Sequence, residues 1–146
     1  MEAQQNVRVI TLAVVRQEQV YATAVVTGSG EEWSILPSAA FLARGVRPRT
    51  GDLVAVRNEE IVYHWPRGLV LASTPEGIRV RLGSGEQITA PANPATLPDA
   101  AALRPGDPVF VSRDEVMTRA WTWFEPQPPS PALLTHAAAV VERAER

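Results

Sequence analysis

The sequence predicts an all-β protein. Two tandem five-stranded small barrels are followed by a Pro-rich linker and a C-terminal helix. Three observations carry this. First, the chain matches itself at a shift of 55 positions. Gly28-Ser29-Gly30-Glu31 falls on Gly83-Ser84-Gly85-Glu86, and Arg49-Thr50-Gly51-Asp52 falls on Arg104-Pro105-Gly106-Asp107, with no gap between. Over residues 28–60, 12 of 33 residues are identical at that shift, whereas ordinary composition would give roughly 2 or 3. Second, short runs rich in Val, Ile and Thr recur at regular spacing between Gly, Pro and Asn turn residues, the pattern of a sandwich or barrel. Third, the character changes after residue 125, where Pro126-Gln127-Pro128-Pro129-Ser130-Pro131 opens a segment with helical rather than strand periodicity.

Each copy reads as five strands. In the first, residues 7–16 and 19–27 are strands separated by the polar pair Gln17-Glu18. Gly28-Ser29-Gly30 is a turn, because glycine reaches positive φ without a Cβ clash. Residues 33–36 form a third strand stopped by Pro37. Ser38 then caps a helix of about two turns that ends at Gly45. Residues 52–57 and 60–65 are strands four and five, joined by a tight turn at Asn58-Glu59. The second copy repeats the plan with strands at 67–73, 77–82, 87–90, 109–113 and 115–123. Its long connection keeps a vestigial helical turn at Asp99-Ala100-Ala101-Ala102-Leu103.

The tail is different in kind. The proline run is extended and stiff. Ser130 caps a helix with Pro131 at its first position, and Leu133, Ala137, Val140, Val141 and Ala144 share one face. A helix of about 15 residues is marginal alone in water, so it must dock on its own barrel or on a partner chain. The organisation expected is 1–65 for the first barrel, 66–124 for the second, and 125–146 for the arm and helix.

Composition excludes more chemistry than it suggests. The 146 residues include no cysteine, so there is no disulfide framework, thiolate metal site or cysteine nucleophile. The two histidines, His64 and His136, would need carboxylate help to hold zinc. No metal site, cofactor or catalytic residue is assigned. The glycine turns lack the lysine and the strand-to-helix setting of a phosphate loop. Asp52 and Asp107 sit where a turn uses a carboxylate for its own backbone. All 14 basic residues are arginine, against 16 acids, for a net charge of −2; the absence of lysine reads as a codon-usage bias. Residues 1–5 lack a basic start and apolar core, and no apolar run approaches the roughly 18 residues of a membrane helix. A soluble protein, cytoplasmic or virion-associated and without a membrane partner, is the expectation.

Five short antiparallel strands with a helix after the third describe an oligonucleotide/oligosaccharide-binding (OB) barrel; an SH3-like barrel is the alternative. An OB barrel binds single strands by stacking bases beside a basic groove. Arg44, Arg47, Arg49 and Arg57, with Trp33, are the candidates for such a site in the first copy. Glu31, Glu32, Glu59 and Glu60 lie nearby in sequence and oppose the field. In the second copy Arg79 and Arg81 share a strand face without an aromatic platform, so binding there reads as weaker.

Two resemblances follow from these residues. Ala24-Val25-Val26-Thr27-Gly28, Ser34-Ile35-Leu36-Pro37 and Gly51-Asp52-Leu53-Val54-Ala55-Val56 resemble the OB modules of bacterial translation initiation factor one and its RNA-binding relatives. Arg104-Pro105-Gly106-Asp107 leading into Val109-Phe110-Val111, and the run ending in Trp121 and Trp123, look like small β-barrel proteins of tailed bacteriophages. The first resemblance implies RNA binding; the second implies a non-catalytic barrel that assembles through edge strands and arms. The function expected is therefore assembly, with the chain itself or a larger protein complex as partner. Phe124, Leu133, Leu134, Ala137, Val140 and Val141 are the expected contacts. The alternatives are a single-stranded RNA or DNA binder and an adaptor on the ribosome or RNA polymerase.

Overall fold

The computed structural model describes residues 10–19, 22–45 and 47–145. Within them run β1 (Thr11–Glu18), β2 (Thr23–Thr27), β3 (Glu32–Pro37), α1 (Ala39–Ala43), β4 (Leu53–Arg57) and β5 (Glu60–Trp65). Then come β6 (Arg67–Thr74), β7 (Gly77–Leu82), β8 (Gln87–Ala90), a 3-10 turn at Ala100–Ala102, β9 (Pro108–Val111), β10 (Val116–Arg119) and α2 (Pro131–Ala144). The all-β class holds. The expected strand start at 7–9 and Tyr21 lie outside the described residues. The chain divides into two units: one runs to His64 and resumes at Thr122, and the other is Trp65–Trp121.

The first unit is a closed barrel in the order β1-β2-β3-β5-β4. β1 pairs antiparallel with β2 and with β4, and β2 with β3. Closure comes from a short parallel contact, Leu36 to Glu60 and Pro37 to Ile61. Alternate residues point inward, so Ala13, Val15, Val25, Ile35, Val54, Val56 and Ile61 form one core with Phe41. The intervening Leu12, Val14, Ala24, Val26, Leu53 and Ala55 are buried too. These strands are covered on both faces, which is why they read as apolar runs rather than clean alternation. Ser38 Oγ accepts the Phe41 N–H at 3.1 Å, starting α1 and placing Phe41, 2 % exposed, in that core.

The second unit is a sheet in the order β10-β9-β6-β7-β8. Its core gathers Val70, Ile78, Val80, Ala90, Val109, Val111 and Val116 with Leu97 and Leu103 from the long connection. No α-helix follows its third strand; Leu97 and Leu103 bring apolar bulk where α1 brings Phe41. Past β8 the chain bridges Ala92 to Val116 in parallel, 55 positions on from the Pro37–Ile61 contact.

Many local contacts recur at that spacing. Val15 N–H donates to Asp52 O and Val70 N–H to Asp107 O, both at 2.9 Å. Gly51 N–H donates to Val15 O and Gly106 N–H to Val70 O, both at 2.8 Å. A bulge falls between Val15 and Gln17 in β1, and another between Val70 and Ala72 in β6. The Gly-Asp pairs are turn hardware. Gly51 and Gly106 have φ of 95° and 93°, in the region that a Cβ disfavours. The aspartates accept the Arg49 and Arg104 N–H groups at 2.8 and 2.9 Å.

The Asn58-Glu59 turn has φ of 52° and 63°, both left-handed, as a two-residue hairpin of matching twist requires. Asparagine tolerates this; glutamate is strained there. Glu59→Gly is expected to stabilise the first barrel by about 0.5–1 kcal/mol, read as a higher urea midpoint.

Three strand limits differ clearly from those expected. The first break is not at Gln17-Glu18, which belong to β1; Gln19 N–H donates to Ala22 O at 2.8 Å, turning the chain there, and β2 begins only at Thr23. β9 stops at Val111 because Ser112 turns the chain, accepting the Glu115 N–H with its hydroxyl at 3.2 Å. β10 stops at Arg119 rather than continuing to Trp123. Trp121 leaves the ladder to pack edge-on against Phe110 at 5.1 Å, and Thr122 Oγ1 accepts the Glu125 N–H at 3.2 Å, closing a turn.

Candidate functional site

The tail is the first place where sequence-distant residues converge. After the Thr122–Glu125 turn, the proline run passes the β2–β3 turn. A Cβ on Gly28 would stand 2.8 Å from Gln127 O and 2.9 Å from Pro128 Cα, so only glycine permits this approach. Ser130 Oγ then accepts the Leu133 N–H at 3.1 Å and starts α2. Leu133, Ala137 and Val141 are buried along one stripe, while Leu134 and Val140 are half-buried. Phe124 stays 62 % exposed, edge-on to Trp123 at 5.2 Å. The end of α2 is held by two arginines of the first barrel. Arg57 forks onto Glu145, with Nη1 at 2.9 Å from Oε1 and a second bond from Nη2 to Oε2. Arg44 Nη2 donates to the Ala144 carbonyl at 3.3 Å. Cations at a helix C-terminus oppose its dipole.

This fork has an electrostatic signature. Its hydrogen bond holds the Glu145 carboxyl below the usual glutamate range, against burial, which pushes the other way. The same bond raises Arg57. A carboxylate lowered in the docked form contributes fully above the ordinary glutamate pKa, and that contribution is lost as pH falls through the lowered value. Because Glu145 is well exposed, the loss is about 0.5–1 kcal/mol. Amide protection in 131–144, measured relative to the intrinsic exchange rate at each pH, is expected to fall on acidification below the ordinary glutamate range. The same acid step should have less effect in Glu145→Gln, whose tail is already weakened at neutral pH.

Of the five residues expected to bind nucleic acid, the structure brings together Arg44 and Arg57, on the tail helix. Arg44 also lies over the Tyr63 ring at 5.6 Å. Arg47 pairs with Glu18 at 3.2 Å on the surface. Arg49 is exposed, with its backbone N–H on Asp52. Trp33 packs against the barrel core, and its Nε1 donates to Glu31 at 3.3 Å. Arg16, half-buried, forks onto Glu32. Acids thus answer Arg16, Arg47 and Arg57 in this unit.

An open cavity of about 330 Å³ lies beside α1, and Leu36, Phe41, Leu42, Glu18 and Arg47 are among its lining residues. Leu36 and Leu42 are 56 % and 59 % exposed.

The second unit uses its charges differently. Arg119 bonds Asp99 at 3.0 Å and Asp107 at 3.3 Å. The Arg104 N–H, and after it Arg119, hold Asp107 below the usual aspartate range. At the equivalent place in the first unit the half-buried His64 places Nε2 3.5 Å from the buried Asp52. Both carboxylates are tied to backbone turns, and among the described residues no three His, Asp or Glu side chains are grouped to hold a metal.

Arg79 and Arg81 lie exposed on β7, and among the described residues neither guanidinium meets a carboxylate or an aromatic ring. Fifty-five positions earlier stand Ala24 and Val26, which are buried. The sequence carried a signal for this: at the repeat shift, two apolar residues become two arginines. The Arg57–Glu145 fork, spanning 88 positions, had none. No protein-family model matches the chain, and no curated protein matches its sequence.

Proposed function

We propose that this is a non-catalytic assembly protein built from two OB-type barrels related by duplication, making protein–protein contacts through barrel edges and its C-terminal segment. Supporting the OB reading are the order β1-β2-β3-β5-β4 and the helix between strands three and four. The observation that carries the assembly reading is what remains at the surface. Arg16, Arg47, Arg57, Arg113 and Arg119 are held in ion pairs, while Leu36, Leu42, Leu69 and Phe124 are exposed and, among the described residues, β8 ends its sheet with an unpaired edge. Such edges and apolar patches are where proteins dock. With α2 seated on its own barrel, the contacts left to a partner are Phe124 and the outer turns of the tail. The likeness to phage barrels makes a virion or tail component the setting we favour.

Light scattering across a range of concentrations tests this. A particle of several copies is expected. A mass of one 15.9 kDa chain at every concentration would overturn self-assembly.

A further inference from the structure

We propose that the outer edge of β8, with the Arg79–Arg81 face beside it, is a docking site for an extended acidic segment of a partner protein, added as a further strand. The inference rests on the assembly reading and names the chemistry of the partner at one edge.

β8 pairs with β7 on one side, Arg79 opposite Thr89 and Arg81 opposite Gln87. On the other side it is the last strand of the sheet. The chain leaving β8 closes the edge of β10: Val116 N–H donates to Pro91 O at 2.9 Å, Asn93 N–H to Val116 O at 3.1 Å, and Thr96 Oγ1 to Met117 O at 2.5 Å, so the open edge is the four residues Gln87–Ala90 before that contact. β8 therefore offers backbone donors and acceptors to an incoming strand. No lysine or proline lies within β8 to repel one.

The charge on this face selects the visitor. Arg79, Arg81, Gln87 and Thr89 are all exposed on one side of the sheet. Same-face residues two apart are separated by about 6.8 Å in any strand. An added strand would lie about 4.8 Å beyond β8, and an arginine from the next strand inward is long enough to reach across Thr89 or Gln87. Acids alternating in the visitor would then meet Arg79 and Arg81 in register, with forked hydrogen bonds of the kind guanidinium makes to carboxylate. Glu86, which could compete, is engaged by Arg113 at 3.3 Å. The apolar side chain opposite Arg81 is Leu69, and the described exposed residues of this face include no aromatic ring on which bases could stack. That favours a protein segment over a nucleic acid.

The test uses the full chain and a labelled peptide of alternating glutamate and threonine. Expected results are saturable anisotropy at low salt, amide shifts concentrated at 87–90, and about tenfold or greater weakening in Arg79→Gln/Arg81→Gln. The same peptide N-methylated along one edge should lose binding, since it cannot pair with a strand. Among the described residues the arginines have no side-chain partners to lose, so the double variant should keep the thermal midpoint of the parent. No binding at low salt overturns the proposal. So does binding indifferent to the arginine changes or to N-methylation, or a labelled single-stranded oligonucleotide that occupies these arginines while the peptide does not. Failure here with a multi-copy particle in light scattering would reject this edge and leave the assembly reading standing.

Discussion

Phe41→Ala is expected to cost the first unit about 3–5 kcal/mol, the range for truncating a buried aromatic. Phe41 is 2 % exposed and comes from a helix of five residues, too short to hold itself together. Its ring sits in the core with Val15, Val25, Ile35 and Ile61 and meets the His64 ring edge-on at 5.9 Å. Removing it leaves a void in the barrel and unpins α1. The second unit has no such dependence, because Leu97 and Leu103 serve its own core. Hydrogen exchange should therefore quicken through β1–β5 while β6, β7 and β9 keep their protection. The comparison is sharpened by Leu42→Ala on the same helix. Leu42 is 59 % exposed, so that change should move stability by less than about 0.5 kcal/mol.

Much of this architecture was legible because the residues that stop each element are chemically distinctive. Ser38 and Gly45 bound α1, Ser130 and Pro131 start α2, and the strands at 60–65, 77–82 and 87–90 have the limits their turn residues imply. The end of β10 was not legible. Trp121 and Trp123 have strong strand propensity, but propensity cannot register that Trp121 gains more by packing on Phe110. The site was harder still. A stripe of Leu133, Ala137 and Val141 announces that α2 must be buried somewhere, yet apolar surface carries no address. The address comes from Arg57, Arg44 and the bare backbone at Gly28, each contributed by a different part of the first barrel. Of the four arginines proposed for a groove, Arg44 and Arg57 hold the tail helix, Arg47 pairs with Glu18 and Arg49 is exposed.

Ala137→Glu is the change expected to free the tail. Ala137 is fully buried at the middle of the α2 stripe, between Leu133 and Val141. A carboxylate there would be desolvated, at a cost of several kcal/mol, with no described cation contact to receive it. The remaining attachments cannot offset that. The Arg57–Glu145 pair is exposed enough to be worth about 1 kcal/mol at most, and one cap contributes about as much. The favourable course is for α2 to leave the barrel rather than bury the charge, and an isolated helix of this length then frays. Limited proteolysis should cut within 131–145 in the variant and spare that segment in the parent. If the tail stays protected at neutral pH, the stripe is not what holds it. Gly28→Val attacks the same attachment from the barrel side, since its Cβ would displace Gln127 and Pro128, and it leaves the helix sequence intact. Cleavage in both variants would locate the docking in the packing of tail on barrel. Cleavage in Ala137→Glu alone would place it in the helix stripe, with the proline run only passing by.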